Sequence, residues 1–222
     1  DQMSIAALRN YMISKDMAVE VVARDRHGTS GGQAMLINRK WSKLQRTVHK
    51  FEPQIADRDR VLAVEFNNKI QGDHNKLLVI GYYGYNDAAH RKEEVSEMHS
   101  FVWSVIKRFR KTNPFGSVAL LGDTNASQWA EVDTNKEFES GVEVPHHTFG
   151  DGVWEPEEDA FVINHIQKMG MHDTLRERYP CHNFVTRRVT HQTTRFLDRI
   201  FVSKEMLGPT MRTGIYQPAV IT

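Results

Sequence analysis

Short apolar runs broken by turn residues dominate this chain, and only two long stretches carry the spacing of an amphipathic helix. Near the start, Ser4 to Tyr11 has helical spacing through Ile5, Leu8 and Met12, with Ser4 placed as an N-cap. Met17 to Ala23 and Gln33 to Asn38 read as strands on either side of the turn His27-Gly28-Thr29-Ser30-Gly31-Gly32. Leu44 to Phe51, Arg60 to Phe66 and Lys76 to Tyr83 read as three more. Ala88 to Arg110 gives the strongest helix signal: Val95, Met98, Val102, Val105, Ile106 and Phe109 share one face, and Asn113-Pro114-Phe115-Gly116 stops it. Ser117 to Gly122 is a nearly continuous apolar run, suited to a strand buried on both faces. After a loop from about Ala126 to Pro156, a second helix spans Glu157 to Met169, with acids at its start and Gly170 as its C′ residue. Asp198 to Ser203 and Thr213 to Ile221 close the chain as strands. Strands outnumber helices, and the helices fall singly between strand groups, which predicts an α/β sandwich rather than a regular alternating unit.

Composition narrows the class without naming a function. The 222 residues are 40% hydrophobic and 26% charged, values that exclude wholesale disorder. A single domain over residues 1–222 is the simpler organisation, since no repeat or Pro/Gly-rich linker divides the chain. Bulk charge is nearly balanced, 29 basic against 28 acidic residues for a net +1, so any basic surface has to be local. The lone Cys181 excludes an internal disulfide framework. No apolar run approaches the roughly 20 residues of a membrane span, and the first residues lack a signal-peptide pattern. These features read as an intracellular protein, nuclear or cytoplasmic, with no membrane partner.

Three stretches can carry chemistry. In Val118-Ala119-Leu120-Leu121-Gly122-Asp123-Thr124-Asn125 a buried strand ends by presenting a carboxylate and an amide two residues apart. Asp123 can serve as general base or metal ligand and Asn125 can hydrogen-bond a phosphate oxygen; the same residues also make an ordinary Asx turn. Gly81-Tyr82-Tyr83-Gly84-Tyr85-Asn86-Asp87 follows another apolar strand, where tyrosine and asparagine can bind phosphate and Asp87 can cap the long helix. In Thr193 to Ser203, Asp198 opens an apolar strand, where a carboxylate costs free energy unless it is paired. Arg199 points to the opposite strand face. From Phe184 to Arg199 the chain holds Arg187, Arg188, Arg195 and Arg199 against one acid, a patch able to meet phosphates or simply to be solvated.

In this order, the stretches resemble the exonuclease–endonuclease–phosphatase (DNase I-like) superfamily, most of all the endonuclease domains of LINE-type retrotransposons. Ser30-Gly31-Gly32-Gln33 is similar to the family's glycine-paired strand start, and Tyr83 and Asn86 sit where its strand-end tyrosine and asparagine would. Gly122-Asp123-Thr124-Asn125 matches its Gly-Asp-x-Asn signature. Asp173-Thr174-Leu175-Arg176, with Phe184 and Thr186 beyond it, resembles the Asp-Thr/Ser-x-Arg segment, and Leu197 to Ser203 resembles the strand of the histidine-orienting aspartate.

The resemblance implies a four-layer α/β sandwich of two packed, mainly antiparallel sheets with outer helices, and metal-dependent hydrolysis of DNA phosphodiesters. On it, Asp123 would deprotonate the attacking water, Asn125 would hold that water and a phosphate oxygen, and Tyr83 and Asn86 would bind phosphate. Asp198 would orient a catalytic histidine, Arg187, Arg188 and Arg195 would meet the DNA, and Mg²⁺, or Mn²⁺ in its place, would stabilise developing charge.

The pattern departs from the family at both ends. The first-strand asparagine and the metal-binding glutamate have no counterpart ahead of Ile5, so no metal ligand is identified, and the closing Ser-Asp-His does not appear by Thr222. His146, His147, with Asp151 nearby, and His172 and His191 do not occupy the catalytic position. These departures suggest a piece of a larger reverse-transcriptase polyprotein, weak or inactive by itself and exposed to aggregation at an unpaired sheet edge; a decayed copy is the competing account. A non-catalytic nucleic-acid-binding module and a small-molecule (inositol-type) phosphatase are the alternatives to an endonuclease.

Overall fold

The computed structural model describes residues 5–15, 17–22, 32–67, 76–128, 134–136, 158–179, 187–188 and 193–208. Two compact units divide the chain: Asp1–Tyr83 with Lys92–Leu121, and Gly84–Arg91 with Gly122–Thr222. Among the described residues no helix is long and apolar enough to cross a membrane.

The first unit holds α1 (Ile5–Ser14), β1 (Ala18–Val22), β2 (Gln33–Ile37), the one-turn α2 (Arg39–Ser42), β3 (Gln45–His49), β4 (Val61–Asn67), β5 (Leu77–Tyr82), α3 (Lys92–Thr112) and most of β6 (Ser117–Asp123). β1 and β2 pair antiparallel, Ala18 opposite Ile37. β3, β4 and β5 are antiparallel neighbours, whereas β5 and β6 run parallel from Leu77 opposite Ser117 to Gly81 opposite Leu121. A parallel pair needs a crossover, and α3 provides it.

Alternation along the strands assigns the layers. Ile37, Leu62, Val64 and Phe66 form a buried cluster between the β1–β2 pair and β4, with Met35, Trp41 and Val79 packed against it. Leu78, Ile80 and Tyr82 point the other way and are buried beneath α3, where Tyr82 stacks on His99 with its hydroxyl 3.1 Å from Nε2. β4 is therefore covered on both faces, and Val61 to Val64 are buried in succession. The apolar run of β6 predicts the same, and the structure corrects it. Val118 and Leu120 are buried while Leu121 is 40% exposed, because one face of the strand carries the packing.

The long helix also differs from its predicted span. Ala88–His90 makes a separate 3₁₀ turn and the α-helix starts at Lys92. The Asp87 side chain accepts no capping hydrogen bond from that turn; its carboxylate accepts from Arg91 Nε at 3.1 Å. At φ −119° and ψ 39° its backbone lacks the extended conformation of a capping residue.

On α3, Glu97 accepts hydrogen bonds from three successive backbone N–H groups, Gln54 at 2.6 Å, Ile55 at 3.0 Å and Ala56 at 2.8 Å. Partial burial pushes this carboxyl up, but the three donors together outweigh that and hold it below its ordinary value. A lowered carboxylate contributes stability that is complete above the unfolded value, about 4.3, and is lost as pH falls through the folded one. Thermal melts should therefore fall more steeply with acid in the wild type than in Glu97→Gln between about pH 5 and pH 3. Parallel curves would show that the contact contributes nothing.

The second unit holds the end of β6, β7 (Thr134–Lys136), α4 (Ala160–Lys168), β8 (Met171–Asp173), α5 (Thr174–Arg178), β9 (Arg187–Arg188), β10 (Thr193–Arg195), β11 (Asp198–Ser203) and α6 (Lys204–Leu207). β10 lies between β7 and β9, and β8 pairs antiparallel with β11, Asp173 opposite Phe201. α4 starts later than the acidic run at Glu157 suggests, and it ends as predicted: Gly170 adopts φ 76° and its N–H returns to the Gln167 carbonyl. The predicted Ser4 cap, the 27–31 turn and the strand Thr213 to Ile221 lie outside the described residues.

This unit buries a charge. Arg199 is 2% exposed, its Nη1 is 2.7 Å from Asp173 Oδ2, and its guanidinium lies 4.2 Å over the Phe196 ring. The other carboxylate oxygen of Asp173 caps α5, accepting from Leu175 N at 3.0 Å and Arg176 N at 3.2 Å. Removing either partner strands the other in a dry site, at a cost of about 3–5 kcal/mol. Asp173→Ala and Arg199→Ala should each lower the urea midpoint strongly, and the double variant should cost much less than the sum. Additive losses would sink the coupling.

Candidate functional site

Two strand-end loops of the second unit are tied together by backbone. The Gly84 N–H donates to the Asp123 carbonyl at 2.8 Å, and Asn125 Nδ2 donates back to the Gly84 carbonyl at 3.0 Å. The chains run so close that a Cβ on Gly84 would collide with the carbonyl of Thr124. From the other side, the N–H and Oγ1 of Thr124 both donate to the Leu197 carbonyl, at 2.8 and 2.7 Å. The residue before Asp198 is thereby fixed against the loop that carries Asp123.

Within that loop Asn125 is buried and sits at φ 49°. Asparagine is one of the few side chains that tolerates this left-handed region. Its N–H donates to Asp123 Oδ1 at 2.8 Å. Thus the Asx turn and the presented carboxylate are one arrangement: the turn anchors one oxygen of a half-buried acid at the end of β6.

The other predicted residues are placed as follows. Asp198 is exposed at the start of β11, and the buried residue of that step is Arg199. The free-energy cost expected of the carboxylate falls on the arginine, and Asp173 offsets it. Asn86 is exposed in the turn after Tyr85. Tyr83 belongs to the first unit, where its N–H donates to the Arg60 carbonyl at 2.9 Å and the Arg60 guanidinium lies 4.5 Å over its ring.

Arg195 spends its donors inside the unit. Nε reaches Ser127 Oγ at 3.1 Å and Nη2 reaches Asp159 Oδ2 at 2.8 Å, while Asp159 Oδ1 accepts the Ser127 N–H at 3.1 Å. Arg187 and Arg188 form β9, pairing with Arg195 and Thr194. Acids from outside the 184–199 stretch, Asp159 and Asp173, therefore meet two of its four arginines. His172 sits 2.8 Å from Glu177 Oε1; His146, His147 and His191 lie outside the described residues.

Sequence reasoning missed Arg60, Gly84 and Thr124. Arg60 has a signal only in register, since Val61 opposes Tyr82 across β4 and β5. Gly84 and Thr124 have none, because their contact joins residues forty apart.

No protein-family model and no curated protein sequence matches the chain. Solved structures do. The 3′ phosphatase NExo from Neisseria, bound to a product DNA hairpin, superposes with a TM-score of 0.60 at 15% identity over 90% of this chain and 72% of that one. The AP endonuclease LMAP from Leishmania major gives 0.57 at 14% identity over 91% and 74%. The chain has the endonuclease/exonuclease/phosphatase fold. It is an α/β sandwich, as the strand and helix pattern predicts. The endonuclease domain of TRAS1, a telomere-specific non-LTR retrotransposon, matches with a TM-score of 0.45 at 14% identity over 94% of this chain and 83% of that one.

Gly84→Ala tests the two-loop tie directly. The added methyl must displace the Thr124 backbone, a cost of about 1–3 kcal/mol. A lowered melting temperature is expected, whereas Gly208→Ala, with open space around it, should leave it nearly unchanged. An unaltered Gly84→Ala melt would mean the loops are not held as described.

Proposed function

We propose that this chain is a nuclease-type domain that hydrolyses DNA phosphodiesters, with Asp123 acting on the attacking water. The observation that carries the reading is the anchored carboxylate at the end of β6, fixed through the Asn125 N–H and the Gly84 loop. General bases work by position, and a turn-anchored acid at the end of a rigid strand meets that requirement. Asn125 Nδ2 bonds Gly84, so its first role is to position Asp123. Asn86, exposed beside Gly84, is assigned to a phosphate oxygen. Asp198, exposed beside the fixed Leu197, is assigned to orient the group that protonates the leaving oxygen. Arg187 and Arg188 supply the basic strip.

Among the described residues, no group of three or more His, Cys, Asp or Glu comes together to hold a metal. Mg²⁺ typically uses one or two protein carboxylates and completes its shell with water and phosphate oxygens. With Asp123 assigned to water, the described residues do not complete such a site, and the roles above are those of the chain's own groups. The fold shared with the DNA-bound phosphatase and the AP endonuclease supports DNA as substrate. The motif order supports a retroelement origin, with a reverse transcriptase as the partner in the parent chain. An inositol-type phosphatase would need cations gathered on one soluble substrate, and Arg195 and Arg199 instead face Asp159 and Asp173.

Nicking of supercoiled plasmid in Mg²⁺, Mn²⁺ or EDTA, by this chain and by a version extended at both ends, checks the reading. Asp123→Asn keeps the shape of the turn and should lower nicking roughly 10²–10⁴-fold. Undiminished nicking by Asp123→Asn would remove Asp123 from the chemistry.

A further inference from the structure

We infer that the C-terminal end of α3 and the turn after it form a contact surface for single-stranded nucleic acid, with Phe115 as a platform for an unpaired base. From Met98 through Gly122 the chain contains no Asp or Glu, while Lys107, Arg108, Arg110 and Lys111 fall within one and a half turns of helix. Lys107, Arg108 and Lys111 are exposed, and their i, i+3 and i+4 spacing puts them on one side of the helix. Among the described residues Arg108, Arg110 and Lys111 meet no acid, and Lys107 lies 4.7 Å over the Trp103 ring.

One or two cations at a helix C-terminus answer the helix dipole. That does not account for Phe115, which is 82% exposed. Nor is the phenylalanine there by slack geometry. The Gly116 N–H closes the turn onto the Asn113 carbonyl at 2.9 Å, and Asn113 is buried with its N–H and Nδ2 both donating to the Phe109 carbonyl, at 2.9 and 3.0 Å. Pro114 stiffens the second position, and a Cβ at Gly116 would press into the Phe109 ring. A rigid turn thus presents a bare aromatic ring beside a cluster of cations. Charge complementarity selects a polyanion, and the ring selects one with unstacked bases. Duplex DNA would satisfy the lysines and arginines but offer Phe115 no open base face. The surface comes just before β6, whereas Asp123 ends that strand, and the inference holds whether or not the chain cleaves DNA.

The test is fluorescence anisotropy with a labelled oligothymidylate and a duplex of equal length across a salt series. Phe115→Ala should weaken the single strand about tenfold or more and leave the duplex within twofold. Lys107→Gln/Arg108→Gln/Lys111→Gln should weaken both and reduce the single-strand salt slope by about 2. The nuclease reading is read from plasmid nicking and this one from oligothymidylate binding in EDTA, so the two proposals fail separately. All the altered side chains at this surface are exposed, and unchanged melting temperatures confirm intact folding. Wild-type affinity in Phe115→Ala, an equal loss on single strand and duplex, or no oligothymidylate binding by the wild type would each overturn the inference.

Discussion

The backbone approach between Gly84 and Thr124 constrains the candidate site more than any side-chain contact does. Because Gly84 has no Cβ, the loop after β5 can lie flat against the loop after β6, where the Gly84 N–H donates to the Asp123 carbonyl and the Asn125 side-chain amide donates back to the Gly84 carbonyl. Asn125 must then turn back through a left-handed conformation to reach the Gly84 carbonyl, and that reversal brings its own N–H onto Asp123. Thr124 is left facing away from Gly84, toward Leu197, which it holds with two donors. One close approach therefore sets the carboxylate of Asp123 and the position of Asp198. Ties made mostly by backbone and short side chains freeze few rotamers, so the geometry is fixed at small entropic cost.

Electrostatics in the second unit follows a different logic. Arg199 is buried among the apolar residues of β11, and a buried ion pair adds little stability over well-packed hydrophobic side chains of similar volume. What the arginine adds is specificity: Asp173 meets it with one oxygen and caps α5 with the other, so the register of β8 on β11 and the start of α5 are set by one carboxylate. Arg195 does the same on a smaller scale, joining β10 to Ser127 and to Asp159 just ahead of α4. Two arginines that look like a phosphate-binding strip in the sequence are thus internal fasteners.

Legibility from sequence tracked locality. β11 matches its predicted span residue for residue and α3 lies largely within its own, apart from the first turn, because period-two and 3.6-residue patterns report on a single element. Asp123 and Asn125 are visible because a glycine and three polar residues end an apolar run. β8 and α5, at three and five residues, are too short to show any period. β9 and β10 exist only through their pairing with each other and with β7. The misreadings share a cause. Continuous apolarity in β6 reports composition but not which face is packed, and Asp87 has the side chain of a cap without the extended backbone that a cap needs. Arg199 was assigned correctly to the face opposite Asp198, yet no local rule says which of those two faces is the interior.

Net charge is a poor guide to partners for the same reason. At physiological salt, charges separated by more than about 8 Å are largely screened, so a polyanion responds to the cations beneath it and not to a total of +1. Acids placed beside Arg195 and Arg199 cancel them where they stand, while the acid-free stretch from Met98 to Gly122 leaves the end of α3 uncancelled at close range. A balanced chain can in this way hold a strongly basic surface, provided its acidic residues are committed to internal pairs. The sequence shows how many charges of each sign there are; the fold decides which of them a nucleic acid can feel.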